Sequence, residues 1–237
     1  MRNYIFGLSI VFWFSCTKST EAVNNPGESA GSKSANIVII GSSSAAGIGA
    51  NPTDSGWVNR LRLATLDNKK TLYFINLAVA GYTTYQGVPE NYSVQEGMPL
   101  TDTTKNITKA LSYYPSLVMI TYPTNDVANG YSDNEIMSNY KEMVRLLDSA
   151  KVKYILFGTQ PRNFDDAAIR SRLKTLNEKM MSNYGDKFNN LYDTLSTPEG
   201  YIKPEFAAAD GIHLNNRGHY LIVQSVLSDS IFKTTIQ

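Results

Sequence analysis

The chain has 237 residues, of which 42% are hydrophobic and 18% charged, with a formal net charge of +1. That length supports one sizeable α/β domain. A balanced charge without a basic stretch excludes a nucleic-acid footprint. A single cysteine excludes an internal disulfide, and no His/Cys cluster or phosphate-cradling loop calls for a metal or cofactor.

The first segment reads as a leader. Arg2 precedes an apolar run from Tyr4 to Phe14, followed by Ser15 and Cys16. The run is too short to span a bilayer and suits a signal-peptide core. Cys16, placed directly after that core and a small residue, resembles the lipidated cysteine of a bacterial lipoprotein. An ordinary cleaved secretion signal is the alternative. Thr17 to Ala35 is small and polar and reads as a flexible tether. The expected division is therefore a signal over 1–15, a tether over 16–35 and a folded domain over 36–237. The lipid at Cys16 would hold that domain to a membrane of the bacterial cell envelope, periplasmic or surface-facing; without it the protein would be secreted.

Ile37-Val38-Ile39-Ile40 predicts a strand buried on both faces, as in a parallel sheet. It breaks directly into Gly41-Ser42-Ser43-Ser44-Ala45-Ala46-Gly47. A serine in such a turn either caps a following helix or protrudes as a nucleophile beside free N–H groups. Asn51 to Ser55 predicts a loop, and Trp57, Leu61, Ala64 and Thr65 share one face of a helix. Leu72 to Leu77 predicts a second strand, closing on Ala78-Val79-Ala80-Gly81. The long polar stretch from Tyr82 to Thr103 predicts a functional loop.

A helix is expected from about Thr104 to Tyr113, then a third strand from Leu117 to Thr121 that ends in the turn Pro123-Thr124-Asn125-Asp126. Ser132 and Glu135 form a capping box. It opens a helix through Ala150, with Ile136, Tyr140, Met143 and Leu147 inward. Tyr154 to Phe157 predicts a fourth strand, Asp165 to Tyr184 a helix and the region of Leu191 a short fifth strand. A last helix begins near Asn216 and turns Leu221, Val223, Val226 and Leu227 inward. Strands alternating with helices imply a parallel sheet covered on both faces. Ligands of such sheets bind at the strands' carboxyl ends.

Three features gather at that edge with Ser43. Asp210 stands three residues before His213, a spacing that lets the carboxylate hold the imidazole Nδ1–H. A serine hydroxyl needs such a base to attack an acyl carbon. Gly81 offers an unobstructed backbone N–H, and Asn125 a side-chain amide. With the Ser43 N–H, these could form an oxyanion hole. His219 is expected in the first turn of the last helix in a structural role, and Asp126 as a brace of the turn holding Asn125.

Read in order, these segments resemble the four sequence blocks of the SGNH or GDSL-type hydrolases. Gly41-Ser42-Ser43-Ser44-Ala45-Ala46-Gly47 is similar to the first block, Gly81 to the glycine of the second, and Pro123-Thr124-Asn125-Asp126 to the third. Asp210 to His213 is similar to the fourth. Ser42 stands where the family usually has Asp, and Pro123 where it has Gly. The resemblance implies a three-layer α/β/α sandwich, flavodoxin-like, with about five parallel strands. It also implies an esterase with nucleophile Ser43, base His213, carboxylate Asp210 and oxyanion donors from Ser43, Gly81 and Asn125, and no cofactor. With an envelope location it suggests a short-acyl or O-acetyl ester, including that of an acylated glycan. A lysophospholipase or thioesterase is the second enzymatic reading, and a catalytically silent glycan-binding lipoprotein the reading from another class.

Overall fold

The computed structural model describes residues 34–237. The signal-like segment, Cys16 and the tether up to residue 33 lie outside the described residues. Ser34 and Ala35, expected in the tether, open the first strand, because they lie in register with Thr71 and Leu72 of the neighbouring one. Five strands, β1 (Ser34–Gly41), β2 (Thr71–Asn76), β3 (Leu117–Thr121), β4 (Lys153–Phe157) and β5 (Phe188–Asn189), form a parallel sheet in the order β2-β1-β3-β4-β5. This is the flavodoxin-like doubly wound order, and its topological switch point lies between the carboxyl ends of β1 and β3.

The α-helices are, in chain order, α1 (Trp57–Ala64), α2 (Thr84–Gly87), α3 (Ile107–Leu111), α4 (Pro123–Ala128), α5 (Asp133–Ser149), α6 (Ala167–Tyr184), α7 (Tyr192–Leu195), α8 (Asn216–Ser228) and α9 (Ser230–Ile236). Alternate strand residues point to opposite faces, so the sheet carries two cores. Val38, Ile40, Val118, Ile120 and Leu156 pack with Ile107, Ile136, Tyr140, Met143, Leu147, Leu173 and Met180 from α3, α5 and α6. Ile37, Ile39, Leu117, Met119 and Ile155 pack with Trp57, Leu61, Ile222, Val226 and Phe232 from α1, α8 and α9. Each such aliphatic side chain, fully buried, contributes about 1.5–3 kcal/mol. The central strands therefore have to be apolar at every position, as Ile37 to Ile40 are.

Several local expectations shift. The helix expected from Thr104 is confined to Ile107–Leu111, because the Asn106 side chain accepts from Lys109 N and sets the start there. Ala64 is exposed, and Thr65 lies beyond the last turn of α1, at its C-cap. The fifth strand lies at Phe188–Asn189, and the chain past Leu191 turns into α7. The helix from Asn216 is not the last. Asp229 ends it and caps α9 by accepting from Ile231 N and Phe232 N, which buries Phe232 completely. The capping box of Ser132 and Glu135 is formed as expected.

Candidate active site

Gly41 ends β1 in close contact with β3. A Cβ there would lie 2.1 Å from Thr121 Oγ1, so no side chain fits. Ser42 N then donates to Thr121 O at 3.0 Å, and three further bonds, Ala46 N to Ser42 O, Gly47 N to Ser44 O and Ile48 N to Ser43 O, wind residues 42–48 into consecutive turns. Ser43 thus stands just past the end of a central strand. Among the described residues its amide N–H has no hydrogen-bond acceptor and its hydroxyl no partner, which leaves both available to a ligand.

The loop beyond Ser43 is clamped from two sides. Gly49, at φ +93°, lets it approach so closely that a Cβ would lie 2.2 Å from Leu214 O and 2.7 Å from His213 Cβ. His219, fully buried in the first turn of α8, accepts from Trp57 N at 3.2 Å through Nδ1, which places its proton on Nε2, 3.1 Å from Ile48 O. Burial lowers the His219 pKa, in keeping with this neutral tautomer, although the Ile48 carbonyl acts the other way. His219 therefore braces the site.

The fourth block forms a tight turn. Asp210 Oδ2 lies 2.7 Å from His213 Nδ1, and Asp210 Oδ1 accepts from the backbone N–H of Ile212 and of His213, each at 2.9 Å. Burial alone would raise the Asp210 carboxyl. The bonds from the His213 ring, His213 N and Ile212 N outweigh it and hold the group at about 2. The carboxylate is thus ionised at neutral pH and fixes the imidazole with Nδ1 as the donor.

After β2 the chain continues along β1, with Leu77 N bonded to Ile39 O and Val79 N to Gly41 O. It reverses at Val79-Ala80-Gly81-Tyr82, where Tyr82 N donates to Val79 O and Gly81 adopts φ +85°. That positive φ at the third position of a turn is why glycine is needed. No atom lies within 4 Å of the point a Gly81 Cβ would occupy.

The segment Pro123-Thr124-Asn125-Asp126, expected as a turn, is the first turn of α4, with Pro123 at its first helical position. There its missing N–H costs nothing and its fixed φ favours the helix. The departure from glycine at this position thus has a structural reason. Asn125 Nδ2 donates to Tyr82 O at 3.0 Å, and Asp126, fully buried, accepts from Thr84 N and from the Thr84 hydroxyl, which Asn139 Nδ2 also meets at 2.8 Å. Asp126 therefore ties α4 to α2, as a brace.

Ser43, Asn125 and His213 line one cavity together with Ser42, Thr124 and Arg162 over an apolar base that includes Trp57 and Phe157, whose rings are 5.4 Å apart. Asp210 lies behind His213, outside the lining, and Gly81 lies outside it as well. Sequence reasoning missed Thr84, Gly49 and Arg162. The polar turn from Gly158 to Asn163 after the fourth strand was the signal available for the last of these. Among the described residues no group of three or more His, Cys, Asp and Glu side chains is placed to hold a metal ion.

Fold and site together define the class of a doubly wound α/β protein with a cavity at its switch point, lined by Ser43 and a carboxylate-held histidine. The profile of the GDSL-like lipase/acylhydrolase family matches residues 39–221, and the chain belongs to that family, whose members hydrolyse ester bonds. No curated protein matches the chain. Among solved structures, the lipase Lip_vut3 from a goat rumen metagenome superposes with a TM-score of 0.66 at 15% identity, covering 84% of this chain and 98% of that one. The lipase/acylhydrolase from Enterococcus faecalis gives 0.61 at 20% identity, over 84% and 96%. The psychrotrophic esterase EstA from Pseudoalteromonas sp. gives 0.58 at 18%, over 82% and 95%. These likenesses establish the fold.

Proposed function

We propose that the protein is a serine esterase for short acyl groups, with Ser43 as nucleophile, His213 as base and Asp210 as the carboxylate that orients it. The observation that carries this reading is the 2.7 Å Asp210–His213 pair placed so that the imidazole lines the same cavity as Ser43. Ser43 Oγ attacks the acyl carbon as His213 Nε2 takes its proton. The developing oxyanion takes hydrogen bonds from Ser43 N, Gly81 N and the second N–H of Asn125. When the intermediate collapses, His213 returns the proton to the leaving alcohol oxygen. Water then repeats the sequence on the acyl-enzyme and releases the acid.

The size of the cavity supports a short acyl group. The cavity is small, about 70 Å³, room for a few water molecules at roughly 10–15 Å³ each. An acetyl or similarly small group fits such a space over Trp57 and Phe157. A lysophospholipase or thioesterase would need a longer apolar channel. A glycan binder without catalysis would have no use for a histidine held by an ionised carboxylate beside a free serine. With Cys16 lipidated, the enzyme would work at the cell envelope, where acylated glycans are the expected substrates.

Nitrophenyl esters of graded chain length test the reading. The wild-type protein is expected to favour acetate and butyrate over octanoate, and Ser43→Ala to abolish turnover with little change in Tm. Equal or better turnover of long chains would favour the lysophospholipase reading. Activity retained by Ser43→Ala but lost by Ser42→Ala or Ser44→Ala would reassign the nucleophile.

A further inference from the structure

Among the described residues lining the cavity, Arg162 alone carries a permanent charge. Its guanidinium has no hydrogen bond and no ion pair within the described chain. Other part-buried arginines are occupied: Arg170 donates to Glu199 O, Phe164 O and Asp165 O, and Arg172 pairs with Asp133 and bonds Tyr131 O. Arg162 Cζ lies 4.7 Å from the centroid of the Phe164 ring, within cation–π range, while its N–H groups have no partner within the described chain. Burial draws its pKa below the usual arginine value, and the charge of Asp210 partly offsets this. With no protein partner among the described residues, its N–H groups are free to exchange water for a ligand.

The backbone around Arg162 is fixed to the turn that carries the base. Asn163 N donates to Gly211 O at 2.9 Å, and Asn163 Oδ1 accepts from Ile202 N at 2.7 Å. Arg162 therefore belongs to the His213 corner of the cavity. In ester hydrolysis the base is also the group that protonates the leaving oxygen, so the alcohol part of the substrate lies on that side.

We propose that Arg162 is a specificity residue that binds an anionic oxygen group, carboxylate or phosphate, on the alcohol part of the ester. This rests on the esterase reading and narrows its substrate class to acyl esters of acidic alcohols. A planar guanidinium with unused donors can present two parallel N–H groups to such an anion. The competing account gives Arg162 no substrate contact and makes it a support for the Asp210 carboxylate.

Three aryl acetates separate the two on the full chain: 4-acetoxybenzoate, its methyl ester, and 4-acetoxyphenyl phosphate. Comparing wild type with Arg162→Gln on each substrate cancels differences in leaving-group reactivity. Arg162→Gln is expected to lower kcat/KM about tenfold or more for one or both anionic esters, through KM, and less than threefold for the methyl ester. The anion with the larger loss identifies the group recognised. An equal loss on all three, or a loss on none, would overturn the proposal. If wild type hydrolyses none of them, the esterase reading itself fails. Calorimetric titration with 4-hydroxybenzoate and its methyl ester then decides the charge claim separately: tighter binding of the acid, abolished by Arg162→Gln, upholds it, and equal binding ends it.

Discussion

Asn125 donates one side-chain N–H to the carbonyl of Tyr82, 3.0 Å away, and so joins α4 to the residue after Gly81. The same amide keeps a second N–H, and under the proposed mechanism that one donates to the oxyanion, which would put bracing and catalysis on one side chain. Asn125→Ala is expected to lower kcat by roughly a hundredfold or more with KM nearly unchanged, as for loss of one oxyanion donor. Loss of the bond to Tyr82 should also cost about 1 kcal/mol of stability. The check is kcat measured well below the variant's Tm. Activity that falls only in proportion to the unfolded fraction would leave Asn125 as a brace alone.

Asp126 should make stability depend on pH. Burial pushes its carboxyl from 3.8 up to about 7, against the hydrogen bonds from Thr84. Between those values the folded protein holds a proton that the unfolded chain releases. The contribution of this group to stability is therefore greatest below about pH 4 and declines as pH rises towards 7. Asp126→Asn removes the titration while Asn Oδ1 can still accept from Thr84 N. Urea midpoints of the two proteins should converge or cross as pH rises from 4 to 7. Parallel profiles would mean that Asp126 is ionised throughout.

Gly49→Ala tests the contact between the serine loop and the histidine turn. The added methyl would meet Leu214 O and His213 Cβ well inside contact distance, at a φ that alanine adopts only with strain. Either the loop or His213 must move, and a shift of about 1 Å in a catalytic group can cost roughly a hundredfold in rate. The expected result is a large fall in kcat with a lowered Tm. The control Gly97→Ala, with a similar φ of +85° but open space around it, should lower stability modestly and leave kcat unchanged.

Cys16→Ala tests the anchor. The wild-type chain is expected in the membrane fraction and the variant in the soluble fraction. Mass spectrometry of the mature N-terminus should show a lipid on Cys16. An unmodified N-terminus downstream of it would mean a secreted protein.

The central sheet was legible because buried parallel strands must be apolar at consecutive positions, and Ile37 to Ile40, Leu117 to Ile120 and Tyr154 to Phe157 are. β5 was harder to place: two residues carry no periodicity, and Phe188–Asn189 is set by pairing with β4. α9 escaped notice because Asp229 breaks the chain between two helices without a glycine or proline. At the site, residue types at fixed spacing pointed to Asp210 and His213, whose bond is local in sequence. Thr84 with Asp126 and Gly49 with Leu214 are contacts across 42 and 165 positions, and no local pattern encodes them.

The direction of β1 has a practical consequence. Its eight residues carry the chain about 25 Å through the sheet from Ser34 at one edge to the serine turn at the other. Ser34 therefore lies at the opposite end of β1 from the serine turn, and a support joined to the domain at that point would leave the mouth of the cavity clear. Immobilisation through the N-terminus should preserve turnover.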